Sequence, residues 1–403
     1  MRVAVVLDTF PKLSELFVVR QIVGLLRAGV DVQIFAVRPA ADEPQHRLVA
    51  EHALLSRTHY HPCRRAGRAA WARSVLSRAR ARPAALARAL ARPLRRATLT
   101  ALDLVAHGPF DVVHVHFGHV ARELARSIQG ALVTTFHGYD ANVYPRQHGP
   151  DVYRALFARA GALTVNSEFL RARLCRLGAP RSRIHRVPMA VEVPGELPSP
   201  RRFRPGDALR LITVARLVPA KGLHVALAAV ARLQRRGHQV AYSIVGDGPL
   251  RGALQQQARA LGLEHSVTWL GQQSDEQVRA ALLDHHLFVL PSVRTAAGDE
   301  ETQGVVVQEA AAAALPVVVS DIGGIAEGMQ VGSTGTVFRS GDALALADAL
   351  EDMLARADEW PAMGRRGWAW VLQEYGIDVM TGRFLAVYDS ACSASRAARR
   401  SWL

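Results

Sequence analysis

Two successive series of short apolar runs, each run followed by a helix-length amphipathic stretch, constrain the fold of this chain more than any other feature. The first series opens with RVAVVL (2–7) and continues with DVQIFAV (31–37), DVVHVHF (111–117), ALVTTF (131–136) and ALTVNS (162–167). Between its first two members, SELFVVRQIVGLLRA (14–28) repeats apolar residues at helical spacing and stops before Gly29. The stretch VPGELPSPRRFRPGD (193–207), with four prolines and two glycines, breaks the pattern and reads as a linker. The alternation then restarts with LRLITVAR (209–216), VAYSIVG (240–246), SVTWLG (266–271), LFVLPS (287–292) and PVVVSD (316–321), with helices expected near 221–236, 250–261, 274–283 and from 304 onward. Apolar strands spaced by helices argue for parallel sheets covered on both faces. The expectation is an α/β chain of two doubly wound, Rossmann-like domains facing a cleft. Their bounds are 1–194 and 207–375, joined by a linker at 195–206, with a helix at 376–403 that could cross back to the first domain.

Composition narrows the class. No run reaches 18 uncharged apolar residues, so no membrane-spanning helix is expected. MRVAVVLD reads as a strand and not as a secretory leader, because the apolar run is short and Asp8 interrupts it. Cys63, Cys175 and Cys392 are odd in number and far apart, which argues against a disulfide or zinc framework and for a reducing, cytoplasmic setting. The formal net charge of +15 is concentrated: 57–100 holds 12 arginines and no acid. Such a segment is either a solvated helix face in an arginine-biased sequence or a patch drawn to an anionic membrane surface, which would make the protein peripheral on the inner face of the cell membrane. Lys12 and Lys221 are the only lysines.

In open parallel sheets, ligands bind beyond the carboxyl ends of the strands, and the residues suited to chemistry fall there. Arg216 and Lys221 follow one strand, with Lys221 expected to begin a helix. A guanidinium fork and an ammonium beside a helix start suit a diphosphate, although a solvated loop pair has the same composition. Gly246 and Gly248 in SIVGDGPL (243–250) allow close backbone approach, as an ordinary strand-to-helix turn also would. Glu301 and Glu309 stand eight residues apart. On a helix that is a rise of about 12 Å, too far for the carboxyl pair of a retaining glycoside hydrolase, which needs about 5 to 5.5 Å. It suits instead the span from the ribose to the hexose of a sugar nucleotide, with the amides of Gly304, Val305 and Val306 between them. The plainer reading is one helix-start acid and one solvated or buried glutamate. His137, just after ALVTTF and close to Asp140, could bond a sugar hydroxyl or be a satisfied core histidine. His114 and His116 share a strand face with His119 nearby, but no carboxylate or cysteine stands close enough in sequence to complete a metal site. Ser14 reads as the cap of the first helix, with Glu15 beside it in the same loop.

These stretches together resemble glycosyltransferase family 4, a group of retaining enzymes with the two-domain GT-B fold. The carriers are FPKLSELF (10–17), FHGYD (136–140), ARLVPAKG (215–222), IVGDGPL (244–250), Glu301 with Glu309, GGIAE (323–327) and GTVF (335–338). FPKLSE with FHGYD is similar to the branch that builds bacterial exopolysaccharides such as colanic acid and amylovoran. The resemblance implies a nucleotide-diphosphate sugar as co-substrate, no cofactor and no metal, and a saccharide or lipid-linked acceptor met by the first domain. It implies that Arg216 and Lys221 bind the diphosphate, that Glu309 holds the ribose, and that Glu301 meets the transferred sugar. Gly304 and Val305 would lend amides, His137 would reach the donor sugar, and Gly246 and Gly248 would line the donor site. The sequence departs from the family pattern at Lys12-Leu13-Ser14, where many members have a glycine pair, at Thr302-Gln303, and in GGIAEGMQVGSTG (323–335) around Glu327. A sugar-nucleotide epimerase or a glycan phosphorylase are the neighbouring alternatives. A basic nucleic-acid-binding protein would match the charge but leave the second domain and the Glu301/Glu309 junction unexplained.

Overall fold

A computed structural model describes residues 1–12, 15–40, 46–60, 96–128, 130–199, 201–204 and 206–400. Most of the arginine-rich segment and the Ser14 cap lie outside the described residues. The chain divides into two compact units, Met1–Pro188 with Ile377–Leu403, and Met189–Gly376.

The first unit is built on seven parallel strands: β1 (Arg2–Phe10), β2 (Asp31–Pro39), β3 (Thr58–Tyr60), β4 (Val112–His116), β5 (Ala131–Phe136), β6 (Ala162–Val165) and β7 (Ile184–Arg186), in the spatial order β3-β2-β1-β4-β5-β6-β7. Strands β4, β5 and β6 are buried along their whole length, as expected of a sheet covered on both sides. The helix Leu16–Arg27 and the helix Ile377–Arg400 pack together, and the latter also lies against β5. Glycines permit the close approach. A Cβ at Gly24 would collide with Thr381 Oγ1.

The second unit repeats the plan with six parallel strands: β8 (Leu209–Val214), β9 (Val240–Val245), β10 (Val267–Gly271), β11 (Leu287–Leu290), β12 (Val317–Ser320) and β13 (Gly335–Phe338), ordered β10-β9-β8-β11-β12-β13. Neighbours along a strand feed opposite faces. Leu211, Ile244 and Val289 join the core that holds Leu227 and Trp360. Ile212, Val245, Phe288 and Leu290 join the one that holds Val307 and Ile325. The helix Asp275–Leu283 starts on a capping box formed by Ser274 and Gln277.

The stretch expected as a linker lies inside the second unit, where the Arg201 side chain donates to the Ala313 carbonyl at 3.0 Å, and the residues leading into it are held there as well. Met189 exchanges two bonds with the Gln303 side chain, Val191 N donates to Tyr375 O, and the Trp368 indole donates to the Pro194 carbonyl. Among the described residues no helix is long and apolar enough to cross a membrane.

Both sheets reverse direction at one place, between β1 and β4 and between β8 and β11. A doubly wound sheet opens a crevice at that reversal, past the strands' carboxyl ends.

Candidate functional site

In the second unit the loops at the reversal are those after β8 and β11, and they are locked together through backbone. Lys221 closes a 3₁₀ turn, Pro219–Lys221, and does not begin the helix as expected. Gly222 follows at φ 61°, in the left-handed region, and the helix starts at Leu223. A Cβ on Gly222 would collide with the Pro291 carbonyl oxygen, and Val293 N donates to Ala220 O at 2.8 Å. Only glycine satisfies both the torsion and the contact. With the loops in register, the Lys221 ammonium pairs with the Glu301 carboxylate, both side chains about four-fifths buried.

Glu301 is fixed by its main chain. Its carbonyl accepts from Gly324 N at 3.1 Å, and the Cα of Gly323, at φ 60°, approaches so closely that a Cβ would strike that oxygen. The glycine pair of GGIAE thus serves as a clasp for Glu301. Next to it, Glu300 is nearly buried and ion-paired with Arg294 at 3.0 Å. The Asp299 carboxyl is raised above the usual range, first by burial and then by the Glu301 charge, against the pull of Lys221 and Arg216. Arg216, Lys221, Asp299 and Glu301 therefore share one electrostatic neighbourhood, with Arg216 exposed at its edge.

The helix Val305–Ala312 begins beside this cluster at Gly304, φ 68°, with no side-chain cap. Its first amides and the positive end of its dipole suit an anion. Glu309 lies in its second turn, half-buried. Gln303 and Gln308, both buried, brace the turn. The Gln303 amide nitrogen reaches Gln308 Oε1 at 3.1 Å, and the Gln308 amide reaches the Gly328 carbonyl at 3.2 Å.

At Gly246 and Gly248 the close backbone approach is made by the protein's own chain. A Cβ at Gly246 would strike the Ala215 carbonyl, and one at Gly248 would lie 2.7 Å from the Leu217 carbonyl. Their amides are already engaged, Gly246 N with Gly271 O and Gly248 N with Asp247 Oδ1, both at 2.7 Å. These glycines let the β9 loop fit against the Arg216 loop.

In the first unit the strand-end residues are neutral polar groups around one buried acid, Asp140. Asp140 is fully buried and accepts from the amides of Gly118, His137 and Gly138 at 2.7 to 3.0 Å. Burial raises its pKa and the three amides oppose that rise. Asp140 thereby ties the loop after β5 to the loop after β4. His137 lies between the rings of Phe17 and Phe117, each centred 4.7 Å away. Its Nε2 is 3.0 Å from His116 Nδ1. His114 makes no metal site either: its Nδ1 meets Tyr388 Oη at 2.7 Å, and its Nε2 meets Thr135 Oγ1 at 2.6 Å. Among the described residues no cluster of metal-ligating side chains occurs. Burial pushes His116 down to about 3 and lowers His114 and His137 well below the ordinary histidine value, so all three are neutral at pH 7.

Sequence reasoning passed over Gln303, the Gly323 clasp and the His116–His137 pair. The signal for the clasp was present, as two glycines directly after a strand. The pair depends on β4 and β5 lying side by side with His116 opposite Thr135.

Comparison with known proteins decides the family. The model described as Glycosyltransferase Family 4 matches residues 14–193, and that described as Glycosyl transferases group 1 matches 199–367. WcaL of Escherichia coli strain K12, a glycosyltransferase named for colanic acid biosynthesis, is 32% identical over 375 residues, 87% of this chain and 90% of its own. The chain belongs to glycosyltransferase family 4. The amylovoran biosynthesis glycosyltransferase AmsK of Erwinia amylovora is 32% identical over 369 residues, 85% of this glycosyltransferase and 88% of AmsK. The crystal structure of Anabaena HepE in complex with UDP superposes with a TM-score of 0.72 at 16% identity, covering 96% of this chain and 99% of that one. The fold is therefore GT-B, and the protein is a glycosyltransferase.

Proposed function

We propose that this glycosyltransferase moves a hexose-type sugar from a nucleotide-diphosphate donor to a saccharide or lipid-linked saccharide acceptor, with retention and without a metal, in the synthesis of a cell-surface polysaccharide. The observation that carries the reading is the charged cluster at the β8/β11 reversal, beside the uncapped helix start at Gly304.

In this reading the diphosphate meets Arg216, Lys221 and the amides of Gly304 and Val305. Two cations and a helix start can balance the charge that builds on the leaving oxygen, which is the task a metal would otherwise perform. Lys221 moves from Glu301 toward the diphosphate, which frees the Glu301 carboxylate to accept hydrogen bonds from the transferred sugar. Glu309 accepts from the ribose hydroxyls. His137, neutral, bonds a hydroxyl of the donor sugar. The acceptor attacks from the face the diphosphate leaves, and the departing oxygen takes the acceptor's proton, so the chain supplies position and charge in place of a covalent nucleophile. The polysaccharide setting is supported by the kinship with WcaL and AmsK.

A thermal-shift panel of UDP-, GDP-, ADP- and dTDP-sugars tests the donor site, with Glu309→Ala alongside and EDTA present throughout. A ligand that binds only the folded state raises the melting point. The expected result is a rise with one nucleotide class that is smaller in the variant and insensitive to EDTA. A panel without any rise counts against the donor site, and a rise abolished by EDTA counts against metal independence.

A further inference from the structure

The helix Val305–Ala312 starts at Gly304 without a side-chain cap, so the aim of its first amides depends on how the chain enters it. Helices often settle that angle with a staple, an apolar contact between the residue before the cap and the fourth residue of the helix. Here those two positions are Gln303 and Gln308. Both are buried, and the staple is a hydrogen bond from Gln303 Nε2 to Gln308 Oε1 at 3.1 Å.

That bond is the middle of a chain whose direction is fixed throughout. Gln303 Oε1 accepts from Met189 N at 2.8 Å, and Gln303 Nε2 donates to Met189 O at 2.9 Å. Giving and taking on one backbone residue requires an amide, since a carboxylate only accepts. The second hydrogen of Gln303 Nε2 goes to Gln308 Oε1, and Gln308 Nε2 donates to the Gly328 carbonyl at 3.2 Å. All four side-chain polar atoms of the pair have partners. A Cβ at Gly328 would collide with Gln308 Nε2, so glycine permits this contact.

The far ends of the chain are anchored in turn. Met189 is the first residue of the second unit. Val191 N donates to Tyr375 O at 2.9 Å, and Val191 joins the core that holds Ala311 and Ala312 of the same helix. Tyr375 Oη donates to the Glu327 carbonyl at 3.0 Å, one residue before Gly328. The helix start is thus fastened on one side to the segment that enters the unit. On the other it is fastened to the loop that clasps Glu301.

We propose that Gln303 is a positioning residue, a polar staple that aims the amides of Gly304 and Val305 at the donor diphosphate by fastening the helix start to Met189 and, through Gln308, to Gly328. The proposal rests on the donor site described under the proposed function. Gln303 itself acts through the backbone that follows it.

The test is calorimetric titration with UDP, GDP, ADP and dTDP, well below the melting point, of the wild type, Gln303→Glu, Gln303→Met and Gly328→Ala. Gln303→Glu keeps the shape and the acceptor for Met189 N. When ionised it has no hydrogen for Met189 O or Gln308 Oε1, and burial against those oxygens raises its pKa. When protonated it regains one donor. The nucleotide that the wild type binds should bind Gln303→Glu about tenfold or more weakly at pH 8, and the ratio to wild type should narrow at pH 6. Taking the ratio at each pH cancels the titration of the ligand and of Glu301, Glu309 and Glu327. Gln303→Met should lose affinity by the same factor at both pH values. Gly328→Ala should weaken binding with Gln303 intact, because its new Cβ displaces the Gln308 amide. A role confined to stability would lower the melting points and leave the affinities at the wild-type value. That result overturns the proposal, as does a Gln303→Glu ratio that widens at pH 6. If Gln303→Glu does not fold, the affinities of Gln303→Met and Gly328→Ala decide. A wild type that binds none of the four nucleotides overturns the donor site and the proposal with it. Binding by the wild type with unaltered variants overturns the role of Gln303 alone.

Discussion

The two units share a strand order and differ in what they place at the strand ends. The second gathers Arg216, Lys221, Asp299, Glu300 and Glu301 on loops that carry charge into a half-open site. The first gathers His114, His116, Thr135 and Thr164 in full burial with His137 partly buried beside them, all neutral and joined by hydrogen bonds, and holds the nearby buried Asp140 carboxylate on three backbone amides. Charge stays near the surface because burying an ion is expensive unless it is paired. Neutral polar groups can go deep if they are bonded. One frame thus yields one charged cluster and one largely neutral one.

Replacing Lys221 tests the charged side most severely. Lys221→Ala should lower kcat/KM by about 10² to 10³, the loss seen when one charge-stabilising donor is removed from a site. Circular dichroism should stay unchanged. Lys221→Arg should not restore activity, since a planar fork does not replace a compact ammonium. Wild-type kinetics in Lys221→Ala would remove the cluster's claim to the diphosphate.

Gly323→Ala tests whether the clasp on Glu301 is needed. The new Cβ meets the Glu301 carbonyl at a φ that side chains avoid. The expected loss is about 3 kcal/mol in chemical denaturation, with activity falling as Glu301 shifts. A loss under about 1 kcal/mol would mean that the loop yields easily.

The neutral side is tested by acid. Burial lowers the pKa of His114, His116 and His137 in the folded state, so the unfolded chain binds protons that the fold refuses. Stability is full above the unfolded value of about 6.5 and is lost as pH falls below it, toward about 3 for His116. Between pH 7 and pH 5 each such histidine should remove about 2 kcal/mol. His285 and His286 in the second unit act in the same direction. Urea titrations at the two pH values should show a gap smaller by about 2 kcal/mol in His116→Asn than in the wild type. An equal gap would mean that His116 titrates in the fold as it does in the unfolded chain.

The architecture was legible because both sheets bury their central strands. RVAVVL, ALVTTF and LFVLPS place apolar residues on both faces and admit few alternatives. Of the four edge strands only β10 was legible, as SVTWLG. β3, β7 and β13 run three or four residues, too short for any period to register. Local patterns misled where a glycine had two uses. Gly246 and Gly248 look alike for a phosphate or for a neighbouring chain, and the structure seats the Ala215–Leu217 backbone there. His114 and His116 stand in the sequence only beside each other, whereas the fold brings Tyr388 of the last helix to one and His137 to the other. Contacts made across hundreds of residues leave no mark in a local window.

The helix Ile377–Arg400 has a consequence for how the protein is made. It supplies Tyr388 to His114 and Thr381 to the face of Gly24, yet it is separated from the rest of its unit by Met189–Gly376. A ribosome delivers residues in order, at about 5 to 20 per second. The amino-terminal sheet therefore waits on the order of ten seconds or more with its covering helix still unsynthesised, while the unit encoded later can complete its own core first.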